Sequence, residues 1–386
     1  MQYRTGCGWH GVAADLAGTG PRGIRTVEVG VTKAAVWLGP NSKSQVEEIE
    51  VSDPRGGEVR VAVVAAGVCH SDLHLALGHL GSQRFPTVLG HEGAGVVEAV
   101  GTGVSSVLPG DRVAFCFIPS CGKCRQCLRG HPNLCEPGSK AAFSGTMLDG
   151  TSRMQRSDGT SLQQFLAIGA FAEATVVPAE SVVRVPDALP LEQAALVGCA
   201  VLTGFGAVRN AARVQAGDRV AVIGCGGVGL QVIAAARLAG AESIVAIDPV
   251  PSKRDLAIAQ GASAFTSPEE ARGPFDFVFE VVGRAETIEL GWRLLDSGGS
   301  VVVVGIAPAG VEATIRAIDF ASEKSLRGSF YGSGSPATEL ADLAKLAADG
   351  TVDLARVVSH TTDLAGIDEA FERLQRGEGA RTVVML

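Results

Sequence analysis

Cys69, His91 and Cys199 are the residues on which the chemistry of this 386-residue chain turns. Each stands in a glycine-flanked turn, Gly67-Val68-Cys69, Gly90-His91-Glu92 and Gly198-Cys199, where side chains from distant segments can converge. Thiolate and imidazole are donors that Zn2+ accepts, and three such ligands with an open fourth position make a catalytic zinc. Taken singly, each cysteine reads as a small buried hydrophobe and the histidine as a hydrogen-bonded core residue. Their shared setting favours a metal. Asp72 and Glu92 then supply an outer shell that orients a ligating histidine or tunes the ion. His70, Ser71 and His74, beside Cys69, offer imidazoles and a hydroxyl for proton handling, or else form a polar surface turn.

A second set is contiguous. Cys121-x2-Cys124-x2-Cys127-x7-Cys135 places four thiols at spacings that let one loop fold around a tetrahedral ion, a closed site of the structural-zinc kind. Four thiolates also hold iron–sulfur clusters, but nothing else in the chain points to one-electron chemistry. Such a lobe would pin structure rather than react.

Gly224-Cys225-Gly226-Gly227-Val228-Gly229 is a G-x-G-x-x-G pattern. By itself the pattern is weak, but here it follows an apolar strand-like run ending at Ile223 and opens a helical pattern, as a dinucleotide fingerprint requires. The glycines allow a tight turn and a close approach of pyrophosphate to the helix N-terminus. The next strand-like run leads to Asp248, a carboxylate placed to accept from the adenosine ribose hydroxyls and to repel a 2'-phosphate, which favours NAD over NADP. Lys253 and Arg254 are nearby cations that would tolerate the extra phosphate.

These residues need a scaffold of two kinds. From Thr32, short runs at Lys33–Leu38, Glu58–Val64, Gly95–Val100 and Asp111–Phe115 read as strands between turn signals, with more at Glu173–Val177 and Ser181–Val185. After about residue 200, six strand-like runs (219–223, 243–247, 263–266, 275–279, 300–304 and 326–330) alternate with crossover segments, helical at 228–238, 252–260 and 285–295. That alternation predicts a doubly wound parallel six-stranded sheet. Helices at 337–348 and 367–375 and a strand at 381–385 complete the tail.

The length exceeds the roughly 250–300 residues at which one core stops growing, so two domains are expected. With 46% hydrophobic residues, both can bury cores. A net charge of −8 and the lack of any Lys/Arg run argue against a nucleic-acid surface. The longest nearly apolar run, 220–236, contains Gln231 and four glycines and reads as strand, turn and helix rather than a bilayer span. Nine cysteines, four of them clustered, suit metal sites better than a disulfide framework. Residues 1–31 carry Cys7 and His10 but no signal-peptide pattern, so a leader or an upstream start is expected there, and the cytoplasm as compartment.

Assembled, the motifs resemble the zinc-dependent medium-chain alcohol dehydrogenases over roughly residues 33–386. The stretches that carry the likeness are Gly-Val-Cys-His-Ser-Asp at 67–72, Gly-His-Glu-Gly-Ala-Gly at 90–95, the four-cysteine lobe, Val-Gly-Cys at 197–199, the glycine fingerprint and Arg-Thr-Val-Val at 381–384. The resemblance implies a GroES-like β-rich catalytic domain over 32–200 with a zinc lobe at 116–136. It implies a Rossmann domain over 201–330, and a return to the catalytic domain over 331–386. Two zinc ions, NAD, a small alcohol or aldehyde substrate and a homodimer follow from it. Cys69, His91 and Cys199 would hold the catalytic ion with Glu92 close behind it, and Asp72 would hydrogen-bond the liganding histidine. A proton would travel through Ser71 and the nicotinamide ribose to His74. His70 and Arg381 would meet the pyrophosphate, Thr203 and Val228 the nicotinamide ring, and Phe117 and Ile306 the substrate. The implied activity interconverts primary alcohols and aldehydes by hydride transfer.

The 63 residues between Cys135 and Cys199, with Asp149-Gly150-Thr151-Ser152-Arg153 inside them, resemble the branch that includes the glutathione-dependent formaldehyde dehydrogenases. Ser139, with Lys140 beside it, stands where that branch places an arginine for the glutathione carboxylate. Leu80 and Ser82 stand near its acidic positions, and His74 replaces its usual tyrosine. These departures argue against a thiol adduct as substrate. A thiol-adduct dehydrogenase, a formaldehyde dismutase with tightly held NAD, and a non-catalytic NADH-binding regulator are the competing readings.

Overall fold

The computed structural model describes residues 30–79 and 84–386. The apolar strand Glu58–Gly67 is the spine of the first half: it pairs antiparallel with Glu92–Val100, Ala174–Pro178 and Arg381–Met385. Arg112–Phe115 and Val182–Arg184 extend this seven-stranded sheet on one side, and Val358–Thr362 ends it on the other. The register sets Val383 opposite Gly67 and Glu92 opposite the same residue from the other flank. Three segments that carry site residues are therefore hydrogen-bonded neighbours. A five-stranded closed barrel, Gly30–Trp37, Gln45–Val51, Met154–Arg156, Ser161–Gln164 and Thr87–Val88, packs alongside.

The second half is the doubly wound sheet. Its six strands are parallel throughout, in the spatial order Ala264–Thr266, Ser243–Ile247, Arg219–Ile223, Phe275–Glu280, Leu295–Val303 and Ser325–Gly328. Strand order reverses between Arg219–Ile223 and Phe275–Glu280, and ligands of such sheets bind at that switch point, outside the carboxyl ends of the strands. The glycine fingerprint starts there.

A 22-residue helical segment, Leu191–Ala212, joins the halves and contributes walls to both. By length and composition it could cross a bilayer, yet 83% of its apolar window is buried within the fold, so its hydrophobicity serves packing. The expected boundary at residue 200 falls inside this helix, because a break there would expose a side that both halves cover. The first strand begins at Gly30, so residues 30–31 belong to the barrel rather than to a leader; Cys7, His10, Leu80 and Ser82 lie outside the described residues. Residues 116–160, whose sequence reads as loop-rich, also hold the helix Glu136–Ser144 and the barrel strand Met154–Arg156.

Candidate active site

Asp72 assembles the site. It sits on the short helix His70–Ala76, is fully buried, and accepts backbone N–H bonds from Cys69 at 3.2 Å and Gly90 at 2.9 Å. Its Oδ1 also lies 3.2 Å from His91 Nδ1. One carboxylate thus ties together the two segments bearing Cys69 and His91, and by engaging Nδ1 it leaves Nε2 of His91 free to bind a metal. Gly90, with φ of 89°, is packed against the backbone of Ala170 and Phe171, so a side chain there would be both strained and crowded. The tight turn this permits aims His91 inward.

Cys199 arrives on the long helix, within its π-helical turn Val197–Val201. Such turns widen the helix locally and recur at functional sites. Donor atoms of Cys69, His91, Glu92 and Cys199 all lie within 4.8 Å of one another, and all four residues are buried. The hydrogen bond from Cys199, then the charges of Arg381 and His91, hold the Cys69 thiol well below its usual pKa against the opposing effect of burial. Burial pushes the Glu92 carboxyl up to about 7, against the pull of Arg381. Glu92 Oε1 accepts from Arg381 Nη2 at 3.0 Å, whereas Oε2 is buried with no partner. Two thiols, an imidazole and an orphaned carboxylate oxygen around one point fit a zinc ion.

The four-cysteine lobe fits a second one. Its sulfurs lie within 4.8 Å of one another, and two of them accept backbone N–H groups, Cys135 from Cys121 at 3.2 Å and Cys121 from Cys124 at 3.3 Å. All eight described cysteines are free thiols.

The dinucleotide elements follow the expected order. The strand Arg219–Ile223 leads into Gly224, whose φ of 100° makes the tight turn, and the helix Gly227–Leu238 starts three residues later. Its N-terminal N–H groups suit a pyrophosphate. Gly227 lies so close to the Arg381 guanidinium that any side chain would displace it, and Arg381 Nε is buried beside it without a partner. Arg381 therefore stands where expected, next to the fingerprint, and in addition pairs with Glu92. His70 opens the helix after Cys69, is exposed, and sits near Arg381 and Lys253.

Asp248 accepts from Cys225 N–H at 2.7 Å and from Val250 N–H at 2.9 Å. Each oxygen keeps a lone pair for a ribose hydroxyl. Lys253 donates its ammonium to the Gly379 carbonyl and lies within charge range of Asp248 and Arg381. Thr203 sits on the long helix beside Gly204, which packs against the Val228 carbonyl.

On the substrate side, the Phe117 ring meets His91 edge-on at 5.6 Å between centroids. Ile306 is 52% exposed and, with Phe330, lines a cavity of about 870 Å3 that Cys69, His91, Phe117 and Cys199 do not border; the Phe330 ring lies 6.4 Å from that of Phe117. Ser71 is next to the metal donors, its Oγ accepting from Cys69 Sγ at 3.9 Å, and His74 lies one turn further along the same helix. Sequence reasoning missed Tyr331, whose hydroxyl bridges the Cys199 and Phe117 segments; it is one of only two tyrosines, a signal too slight to use.

A parallel sheet with a glycine fingerprint at its switch point, facing a buried two-thiol, one-imidazole metal centre, defines a metal- and dinucleotide-dependent dehydrogenase. The description "Alcohol dehydrogenase GroES-like domain" matches residues 55–187, and "Zinc-binding dehydrogenase" matches 227–349. The NDMA-dependent alcohol dehydrogenase of Amycolatopsis methanolica is 39% identical over 92% of this chain and 98% of that protein. An S-(hydroxymethyl)glutathione dehydrogenase of Photobacterium damsela subsp. piscicida is 38% identical over 92% and 99%. The crystal structure of benzyl alcohol dehydrogenase from Acinetobacter calcoaceticus superposes with a TM-score of 0.87 at 29% identity, covering 93% of this chain and all of that one. The chain belongs to the zinc-dependent medium-chain alcohol dehydrogenase family. It is an oxidoreductase of alcohols and aldehydes that uses zinc and a nicotinamide dinucleotide.

Proposed function

We propose that the chain oxidises primary alcohols to aldehydes, and reduces them in reverse, with NAD rather than NADP. The observation that carries this reading is the convergence of Cys69, His91 and Cys199 beneath Phe117, one arginine away from the glycine fingerprint. When bound, zinc supplies a Lewis acid and the dinucleotide a hydride carrier. Cys69, His91 and Cys199 hold the ion, Glu92 stands behind it and Asp72 fixes the His91 ring. Ser71 receives the hydroxyl proton and His74 passes it on. Gly224, Gly226, Gly227 and Gly229 admit the pyrophosphate, with His70 and Arg381 as its cations, and Thr203 and Val228 back the nicotinamide. Asp248 accepts from the adenosine ribose, and its carboxylate, which would repel a 2'-phosphate, supports NAD. Phe117 and Ile306 border the substrate. A homodimer in the cytoplasm completes the reading.

A thiol adduct of formaldehyde is the second reading, supported by the relatives named S-(hydroxymethyl)glutathione dehydrogenase. Against it, Asp149 and Arg153 of the phrase shared with that branch are engaged with Glu58 and Arg55 in an ion-pair network, which gives the phrase a structural purpose. The experiment is NADH absorbance from zinc-replete protein with NAD or NADP and primary alcohols from ethanol to benzyl alcohol, with S-hydroxymethyl-glutathione alongside and a control lacking added dinucleotide. Turnover of simple alcohols with NAD supports the proposal. Turnover of the adduct alone overturns it, and conversion of formaldehyde to formate and methanol without added dinucleotide, which leaves no net NADH, assigns a dismutase with retained cofactor.

A further inference from the structure

The helix His70–Ala76 ends in a turn at Gly78, whose φ of 75° reverses the chain. A left-handed glycine at a helix C-terminus lets the following residue fold back over the last turn. Here the residue that folds back is His79. Its backbone N–H donates to the His74 carbonyl at 2.8 Å, and its ring comes to 5.5 Å from that of His74 between centroids. The two Nδ1 atoms are 3.2 Å apart.

Two Nδ1 atoms at that distance share one proton, since one must donate and the other accept. His74 Nδ1 is thus committed to His79, and its Nε2 is the nitrogen left to take a proton from the active site. Burial and then His79 itself lower the pKa of the His74 imidazole, which favours handing a proton on over keeping it. The other titratable groups beside His74 are His70, whose ring centroid lies 6.3 Å away on the same helix, and Cys69, whose charge acts on it in the opposite sense to His79. His79 is exposed, so its own Nε2 has water beside it.

We infer that His79 is the terminal station of the proton path, carrying to solvent the proton that His74 receives. The inference rests on the proposed role of His74. A proton arriving at His74 Nε2 displaces the one on Nδ1, which crosses to His79 Nδ1; the Nε2 proton of His79 then leaves to water. One proton enters, one leaves, and no redox change occurs at either ring. Exchange with solvent at both imidazoles restores the starting tautomers between turnovers. His79 acts through His74, so it is a positioning residue of the relay.

The test is stopped-flow oxidation of an alcohol by the zinc-loaded enzyme, following NADH absorbance and proton release to an indicator dye in the same shot, for wild type, His74→Gln, His79→Gln and the double variant. In weak buffer, His79→Gln should delay proton release about tenfold, less than the ~100-fold or greater effect of a direct general base. The double variant should match His74→Gln, and added imidazole should restore His79→Gln. Long-range proton–nitrogen correlation spectra of histidine-labelled enzyme without dinucleotide should show one protonated Nδ1 in the pair, lost in His79→Gln. If His74→Gln delays release while His79→Gln behaves as wild type, the inference is wrong and the relay ends at His74. If neither variant delays release, the role proposed for His74 fails with it.

Discussion

Tyr331 donates its hydroxyl to the carbonyl of Gly198 at 2.6 Å, one residue before Cys199. The same oxygen accepts from the Phe117 backbone N–H at 3.2 Å, and the two rings lie 3.7 Å apart between centroids. A single buried phenol therefore couples the helix that presents Cys199 to the segment, just past the strand Arg112–Phe115, that carries Phe117. Burial also keeps it protonated, since its pKa is pushed well above the usual value, so donation to Gly198 persists across the working pH range. Replacing it with phenylalanine keeps the packing and removes both bonds, leaving a carbonyl and an N–H unpaired in the core. Tyr331→Phe should lose about 1–3 kcal/mol of stability, read as a lowered denaturation midpoint, and lower kcat with zinc content unchanged. An unaltered midpoint would show that water replaces the hydroxyl.

Arg381 makes a second coupling, between Glu92 behind the metal donors and Gly227 at the fingerprint. Both members of the ion pair are almost wholly buried, so removing one leaves an uncompensated charge. Arg381→Met should cost about 3–5 kcal/mol and weaken dinucleotide binding. Adding Glu92→Gln should recover much of the stability but not the affinity, because in the proposed function the guanidinium meets the pyrophosphate. Denaturant titration measures the first and quenching of protein fluorescence by NADH the second. Recovery of both together would mean that Arg381 acts on the metal centre alone.

How much of this was legible beforehand depended on whether a residue's partner lay in its own motif. The fingerprint, the four-cysteine lobe and the six parallel strands are local patterns, and the helix 367–375 and strand 381–385 were bounded as observed. Strands rich in polar residues, Gln45–Val51 and Val358–Thr362, escaped because their apolar alternation is broken by glutamate, serine and threonine. Tyr331 and the Arg381 pairing with Glu92 join residues more than a hundred positions apart. No spacing encodes such contacts. His79 failed for a subtler reason: its value arises from the left-handed turn at Gly78, which a lone glycine does not announce.

The two metal sets should separate by metal content. Cys69→Ser should reduce zinc from about two to about one per chain and abolish turnover, with NADH still bound, since open-site zinc holds three protein ligands and loses affinity with any of them. Cys124→Ser should also lose one zinc, but here the loss should appear as a lowered unfolding temperature and earlier proteolysis of residues 121–135. Elemental analysis together with thermal melts distinguishes the two. Retained turnover in Cys69→Ser would reassign the catalytic donors.

Acid should act on the barrel through Asp149 and Arg153. Burial raises the Asp149 carboxyl, but hydrogen bonds from Thr151 and Arg153 outweigh it and hold the group well below the usual carboxylate range. Arg153 is itself buried and donates to Glu58 and Asp149, tying the segment before the strand Met154–Arg156 to the spine strand. A depressed folded-state pKa contributes stability above the unfolded value, near pH 4, and that contribution is lost as pH falls toward the folded value. Asp149→Asn should therefore melt below wild type at pH 7, with the gap closing progressively below about pH 4. The Asp149 side chain is 41% exposed, so solvent screening keeps the difference modest and salt should shrink it further. Melts of both proteins from pH 7 to 3 give the answer: a gap that stays constant with pH would assign the loss to the Thr151 turn rather than to charge.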